Sequence, residues 1–358
     1  MHERAATTYA YVSSTADGLI SQYRLDEQTG ALQLVATVSA GESPSPMAVS
    51  PDGSTLYVAL RGKAPGSVSF AIAPGSGTLT RLAQQPLPGS MAYLSTSHDG
   101  RWLFGASYGD DLLSVQAIGA DRQVSGEPAK VFKTGLHAHS IRTDNSDRFV
   151  YVGNLGVDQV LQYRLQENGE LAPIGGGGID LAGGPRHLAF SADGRFLYVV
   201  GETDGAVSSF AIDPDSGALS PVARVVAVPE QLNLAPGIVR DARNNDGKDD
   251  PTPRIWAADL KISPDGRLLY ITERTTNSVS ALSVDADSGA LAYLGNYPMI
   301  EQQSRNIAFS PSGRWLLATG EKSGVFGCYA IDAEDGSLTR ASEAPAGQNQ
   351  VWIEMVSV

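Results

Sequence analysis

The sequence predicts an all-β fold, a seven-bladed β-propeller of four-stranded antiparallel blades. One pattern recurs seven times at a spacing of 46 or 47 residues, every apolar run within it is strand-like, and the chain begins and ends part-way through a repeat. Repeats of this length, none of which can bury its apolar face alone, stack into a closed array.

The centre of each repeat is a six-residue apolar run. The runs are Thr8–Ser13, Thr55–Leu60, Trp102–Ser107, Phe149–Asn154, Phe196–Gly201, Leu268–Glu273 and Trp315–Gly320. Aligned positions are Tyr11, Tyr57, Phe104, Tyr151, Tyr198, Tyr270 and Leu317, with steps of 46, 47, 47, 47, 72 and 47. The step of 72 is one repeat of 47 carrying 25 inserted residues. Consecutive apolar positions mark a strand covered on both faces, as blades stacked face to face require. Helical periodicity is absent.

Six of the runs follow a turn resembling Ser-Pro-Asp-Gly, as at Ser50–Gly53 and Ser263–Gly266. An alternating strand comes next, such as Ser67–Ile72, Ala206–Ile212 or Ser278–Val284. A glycine turn then leads into a polar-edged outer strand, as in Ser76-Gly77-Thr78-Leu79 and Asp335-Gly336-Ser337-Leu338. Glycine supplies the positive φ that tight hairpins need. Each repeat therefore reads as strands A to D, with A before the turn, B the apolar run, C alternating and D outermost. Around Asp121–Gly126 the C–D turn is degenerate, and Gly175–Gly178 reads as a hairpin-edge linker.

The chain opens on a B strand and closes on Gln350–Val358, which reads as an A strand with nothing after it. That last strand is expected to complete the first blade and remove an exposed edge. Residues 1–358 form one domain, with the insertion 229–255 lying on the pocket face and its base held by Ile238 and Trp256. Its tip, Asn244–Asp250, has the look of a calcium loop without the closing glutamate, and reads as a solvated turn.

The net charge of −13 disfavours nucleic acid and anionic membrane as partners. A single cysteine, Cys328, allows no internal disulfide. Neither a signal-peptide apolar region nor a long apolar span is present in the sequence, so a cytoplasmic protein, monomer or homodimer, is the expectation. No cofactor or metal is expected. His137 and His139 lack a third ligand in register, His98 and Cys328 read as structural, and no nucleophile motif of the Gly-x-Ser-x-Gly type occurs.

Departures from the repeat single out candidate site residues. At the start of strand A the equivalent positions hold Ser45, Ala92, His139, Arg186, Ala258 and Arg305. At the end of strand B they hold Arg61, Tyr108, Leu155, Glu202, Arg274 and Glu321. In an antiparallel meander both sets lie at one mouth of the channel. Charged side chains there are expected to pair with each other or with a ligand. The excess of arginine on an acidic protein favours an anionic ligand.

Several segments resemble the bacterial β-propeller 6-phosphogluconolactonases and the related fungal 3-carboxy-cis,cis-muconate lactonizing enzymes. They are Gly184-Pro185-Arg186-His187, Arg254–Leu260, Ile271–Thr275 and His139-Ser140 before a strand. The resemblance spans essentially the whole chain. It implies a site of one His, two Arg and one Glu, which falls on His139, Arg186, Glu202 and Arg274. The insertion is longer than the family pattern, and Arg142 and Asp144 stand where strand A is usually more apolar.

The resemblance implies a lactonase acting on an anionic small-molecule lactone such as 6-phosphogluconolactone. In that reading His139 or Glu202 activates water, and Arg186 and Arg274 bind the anion or the oxyanion. Arg305, Arg61, Glu321, His187 and Tyr108 complete the substrate contacts. A lactonizing cycloisomerase, a lactonase for an unphosphorylated or aldaric lactone, and a non-enzymatic binding propeller are the alternatives.

Overall fold

Each repeat folds into a four-stranded antiparallel sheet in the computed structural model, which describes residues 6–241 and 250–358. Among the described residues there are seven such sheets. In the second blade the order is Pro44–Val49, Thr55–Leu60, Gly66–Ile72 and Leu79–Pro86. The A strands touch one another in a ring, so they line the central channel, and the D strands face outward. The B runs are almost wholly buried, as their unbroken apolar pattern requires.

The ring closes as the ends of the chain predict. Gln350–Ser357 pairs antiparallel with Thr8–Ser14 and supplies the A strand of the first blade. Beyond it, Thr7 and Val358 exchange two backbone hydrogen bonds of 2.9 and 3.0 Å.

Two recurring devices explain the motifs. In the turn before strand B, Ser50 Oγ donates to Asp52 at 2.7 Å and accepts the Thr55 N–H at 2.9 Å. Ser97, Ser191 and Ser263 make the same pair of bonds. In the fourth blade Asp144 takes the serine's place and accepts the Phe149 N–H at 2.8 Å, which accounts for a carboxylate in that strand region. The second device joins blades. The B-strand tyrosines Tyr11, Tyr151 and Tyr270 donate to the carbonyls of Gly77, Gly217 and Gly336 in the next blade's C–D turn, at 2.5–2.8 Å. Those glycines sit at φ of 62°, 75° and 71°, a region that disfavours a side chain. Where the C–D turn is degenerate, Tyr57 donates to Arg122 O instead, and the following D strand shrinks to Lys130–Lys133.

Gly175–Gly178 is not a linker. It lies inside the ten-residue D strand Leu171–Asp180. Pairing there jumps from Tyr163↔Pro173 to Leu161↔Gly178, so the glycines form a bulge in an edge strand that has a partner on one side only. The base of the insertion is fastened by backbone: Gly237 N–H donates to Thr203 O at 2.7 Å, and Ala235 bonds to both Pro253 and Ile255. Of the tip, residues 244–249 fall outside the described residues, and Asp250 pairs with Arg254 at 2.8 Å. No helix among the described residues is long and apolar enough to cross a membrane.

Candidate active site

Strand A starts and strand B ends at the same rim, as the pairings Pro185↔Gly201 and Ala257↔Glu273 show. The register slips just inside the start of all seven A strands, for example between Pro185 and Leu188. A bulge suspends the strict in–out alternation of a strand. Arg186 and His187 therefore both reach the neighbouring A strand: Arg186 Nη1 donates to Ala258 O at 2.5 Å, and His187 Nδ1 lies 2.7 Å from Asp259.

The rim encloses a cavity of about 300 Å³. His139, Arg186, Glu202, Arg274, Arg305, Arg61 and Tyr108 line it, seven of the nine residues expected from the sequence. His187 lies beneath them, buried, with Nε2 3.1 Å from Arg186 Nη1. Glu321 lies in an adjoining recess and pairs with Arg305. Arg240 of the insertion and Trp256 just after it also line the wall. A second hollow near the opposite ends of the A strands, with Arg142, Lys261 and Glu354, shares no residue with this group.

Glu202 is the electrostatic centre. Its Oε2 accepts from Arg186 Nε at 2.8 Å and from Arg274 Nη2 at 2.7 Å. Burial alone would raise its pKa, but the two guanidinium charges outweigh it and hold the carboxyl below its usual range. Burial, with Arg274 adding to it, draws Arg186 down to about 9 against the pull of Glu202, so the guanidinium stays charged at neutral pH. Both arginines are otherwise anchored on backbone carbonyls, Arg274 on Trp256 O and Ala257 O at 3.0 Å each.

His139 is buried, and its Nδ1 has no hydrogen-bond partner. Burial, followed by the charge of Arg186, holds its pKa well below the usual histidine value, so it is neutral. Its ring meets Tyr108 edge-on at 5.7 Å and His187 at 5.2 Å. The Tyr108 hydroxyl donates to Arg240 O at 2.5 Å and so ties the insertion to the rim. Tyr108 also stacks on His137 at 4.1 Å.

Below the rim a second row is built from the next residue of each A strand. His187 Nδ1–H meets Asp259 Oδ1, and Asp259 Oδ2 accepts from Asn306 Nδ2 at 2.6 Å and from Ile307 N–H at 3.0 Å. Asn306 Oδ1 accepts the Ile353 N–H of the closing strand at 2.8 Å. Burial raises the Asp259 pKa, but Lys261 and His187 hold it down to about 2. Burial and the Arg186 charge keep His187 neutral. The proton then sits on Nδ1, and Nε2 is left to accept from Arg186.

Asp259 and Arg240 were not expected at the site, and Trp256, expected to hold the base of the insertion, also lines the pocket. Asp259 was within reach, since the positions one residue after the first ring read Tyr93, Ser140, His187, Asp259 and Asn306. Among the described residues no group of three or more His, Cys, Asp or Glu is placed to hold a metal ion.

A family model described as "Lactonase, 7-bladed beta-propeller" matches residues 6–355. The chain is 35% identical over 295 residues to the 6-phosphogluconolactonase of Serratia proteamaculans, covering 82% of each. It is 36% identical over 290 residues to that of Pectobacterium carotovorum, covering 80% of each. Among solved structures it is similar to the periplasmic gluconolactonase of Pseudomonas aeruginosa, with a TM-score of 0.82, 26% identity and coverage of 98% and 99%. A Bacteroides fragilis structure superposes at a TM-score of 0.83 with 24% identity, a likeness of fold. The match extends across all seven blades and both halves of the rim, and the chain belongs to the seven-bladed β-propeller lactonase family.

Proposed function

We propose that the protein hydrolyses a sugar δ-lactone, with 6-phosphogluconolactone as its substrate, at the pocket around Glu202. The observation that carries this reading is a neutral, unpartnered His139 beside two arginines that one carboxylate holds in place. The names of the relatives favour hydrolysis over the ring-forming isomerisation that the same charges would serve.

Hydrolysis of a lactone needs a deprotonated water, a stabilised oxyanion and a proton for the departing ring oxygen. Neutral His139 takes the proton from water as the oxygen attacks the carbonyl carbon. Arg186 and Arg274, already oriented by Glu202, face the negative charge that develops on the carbonyl oxygen. The ring C–O bond then breaks, and the imidazolium returns its proton to the leaving alkoxide. One lactone and one water give one hydroxy acid, with no net change in the enzyme.

His139 suits the base better than Glu202. Two guanidinium groups already hold the Glu202 carboxyl below its usual range, which makes it a poor proton acceptor. The charge that most depresses His139, that of Arg186, is partly cancelled when an anionic substrate or oxyanion arrives. Its basicity therefore rises at the stage where a base is needed. The test is a panel of 6-phosphogluconolactone, gluconolactone and a muconolactone followed by proton release. Rapid hydrolysis of the first two is expected, and turnover of the muconolactone alone would overturn the reading.

A further inference from the structure

Beside the catalytic cavity lies a second one of about 400 Å³ that shares Arg240, Trp256 and Arg274 with it. Its remaining cations are Arg254 and Lys322, and among the described residues no aspartate or glutamate lines it. Four cationic side chains around one cavity are conspicuous on a chain of net charge −13. Arg254 is paired with Asp250 and Arg274 with Glu202, while Arg240 and Lys322 add like charge at the same cavity, which an anion between them would relieve.

The arginines are held in place independently of any ligand. The Trp256 indole has Arg240 at 3.6 Å and Arg274 at 3.8 Å from its centroid, a separation that only opposite faces of the ring can accommodate. Stacking on an aromatic face stabilises each guanidinium and leaves its N–H edge free to donate. Arg254 is fixed by Asp250 at 2.8 Å and by Pro236 O at 2.9 Å. Lys322 is exposed and makes no ion pair among the described residues. Asn277 and Gln302 add amide groups to the wall.

Inside the catalytic cavity most of the charges are already engaged, and Arg61 donates to Ser90 Oγ. Glu202 neutralises part of the Arg186 and Arg274 charge, and Glu321 is paired with Arg305. A phosphate monoester brings a further charge of about −1.5 to −2 at neutral pH. In a 6-phospho-lactone that group hangs on an exocyclic arm, away from the carbonyl, and needs a cationic contact displaced from the reacting carbon.

We propose that this second cavity is the phosphate subsite of the enzyme. Lys322 and Arg240 grip the phosphoryl group while the lactone ring lies against His139. The inference rests on the lactonase reading above, and it adds where the anionic arm goes and which residues discriminate for it.

The readout is the ratio of kcat/KM for 6-phosphogluconolactone to that for gluconolactone, in the full-length protein and in K322Q and K322Q/R240Q. Both side chains are exposed, so folding is expected to survive, and circular dichroism checks it. The wild-type ratio should be well above one. It should fall about tenfold in the single variant and further in the double, since a hydrogen bond to a charged group contributes about 1.5–3 kcal/mol. A wild-type ratio near one, or a ratio that neither variant moves, would overturn the subsite while leaving lactone hydrolysis standing. Calorimetric titration with glycerol 3-phosphate separates the two claims from the other side. Binding that K322Q weakens, in a protein that hydrolyses no lactone, would keep the anion subsite and remove the hydrolase reading. Absence of binding by the wild type would remove the subsite.

Discussion

Arg186 and Arg274 come from adjacent blades and donate to the same atom, Oε2 of Glu202, at 2.8 and 2.7 Å. The carboxylate is both the anchor of the two arginines and the ionic fastening between the fifth and sixth blades at the channel rim. Substituting Glu202→Gln leaves two buried guanidinium groups sharing a neutral amide. Breaking a buried pair by removing one partner destabilises by about 3–5 kcal/mol. Urea denaturation should show a loss of that order, and lactone hydrolysis should fall at least a hundredfold. A variant of wild-type stability would mean that another group carries the balancing charge.

His139 differs in kind, because its buried Nδ1 bonds to nothing. His139→Gln is expected to keep the fold and lower kcat by about 10²–10⁴, the usual contribution of a general base. The pH dependence gives a second check. The folded-state pKa of His139 lies below its unfolded value of about 6.5, so the unfolded chain binds the extra proton first. Its contribution to stability is complete above about pH 6.5 and declines at about 1.4 kcal/mol per pH unit below it. The wild type should lose stability between pH 6.5 and 5 more steeply than His139→Gln does. The kcat/KM profile should stay flat down to about pH 6, and an inflection at 6.5 or above would count against a depressed histidine as the base.

Asp259 accepts four hydrogen bonds, from His187, Asn306, Leu260 N–H and Ile307 N–H. Asn at this position would turn one of its donors against others. Asp259→Asn should cost about 1–3 kcal/mol of stability for the unsatisfied groups. It should also lower kcat more than it raises KM, because His187 no longer has its proton fixed on Nδ1 and Arg186 loses a defined acceptor. Kinetics that match the wild type would show that Arg186 is held sufficiently by Ala258 O and Glu202.

Deleting Gln350–Val358 strips the first blade of its inner strand and exposes the edge of Thr8–Ser14. Such an edge invites pairing with other chains. Light scattering of the truncated protein should report aggregation where the full chain is dispersed, and a soluble product with unchanged hydrogen exchange would contradict this.

The blades and the rim were legible because both follow from arithmetic on one repeat. Tyr11 to Leu317 mark the B strands, and fixed offsets from the turns collect His139, Arg186, Glu202 and Arg274. Asp259 was obscured by the register slip that the A strands share. Strict alternation would turn the residue after Ala258 away from the channel, and only the slipped register at Ala257/Leu260 brings it in. Arg240 belongs to the insertion and has no equivalent in any repeat, so no offset could find it. The run Gly175–Gly178 misled for the opposite reason: glycine signals a break in most strands, whereas an edge strand paired on one side absorbs it as a bulge.

The two bonds between Thr7 and Val358 have a bearing on how the chain could be rewired. With the ends of the described chain side by side, a short peptide joining them would make the backbone a closed loop. A new opening could then be cut between any D strand and the following A strand, each cut giving a circular permutant with the same seven blades. In such a permutant every blade, the first included, would be built from one continuous stretch of chain. Opening the loop after Lys133, for instance, would make Ala138–Thr143 part of the N-terminal segment, and the strand that carries His139 would be among the first to leave the ribosome.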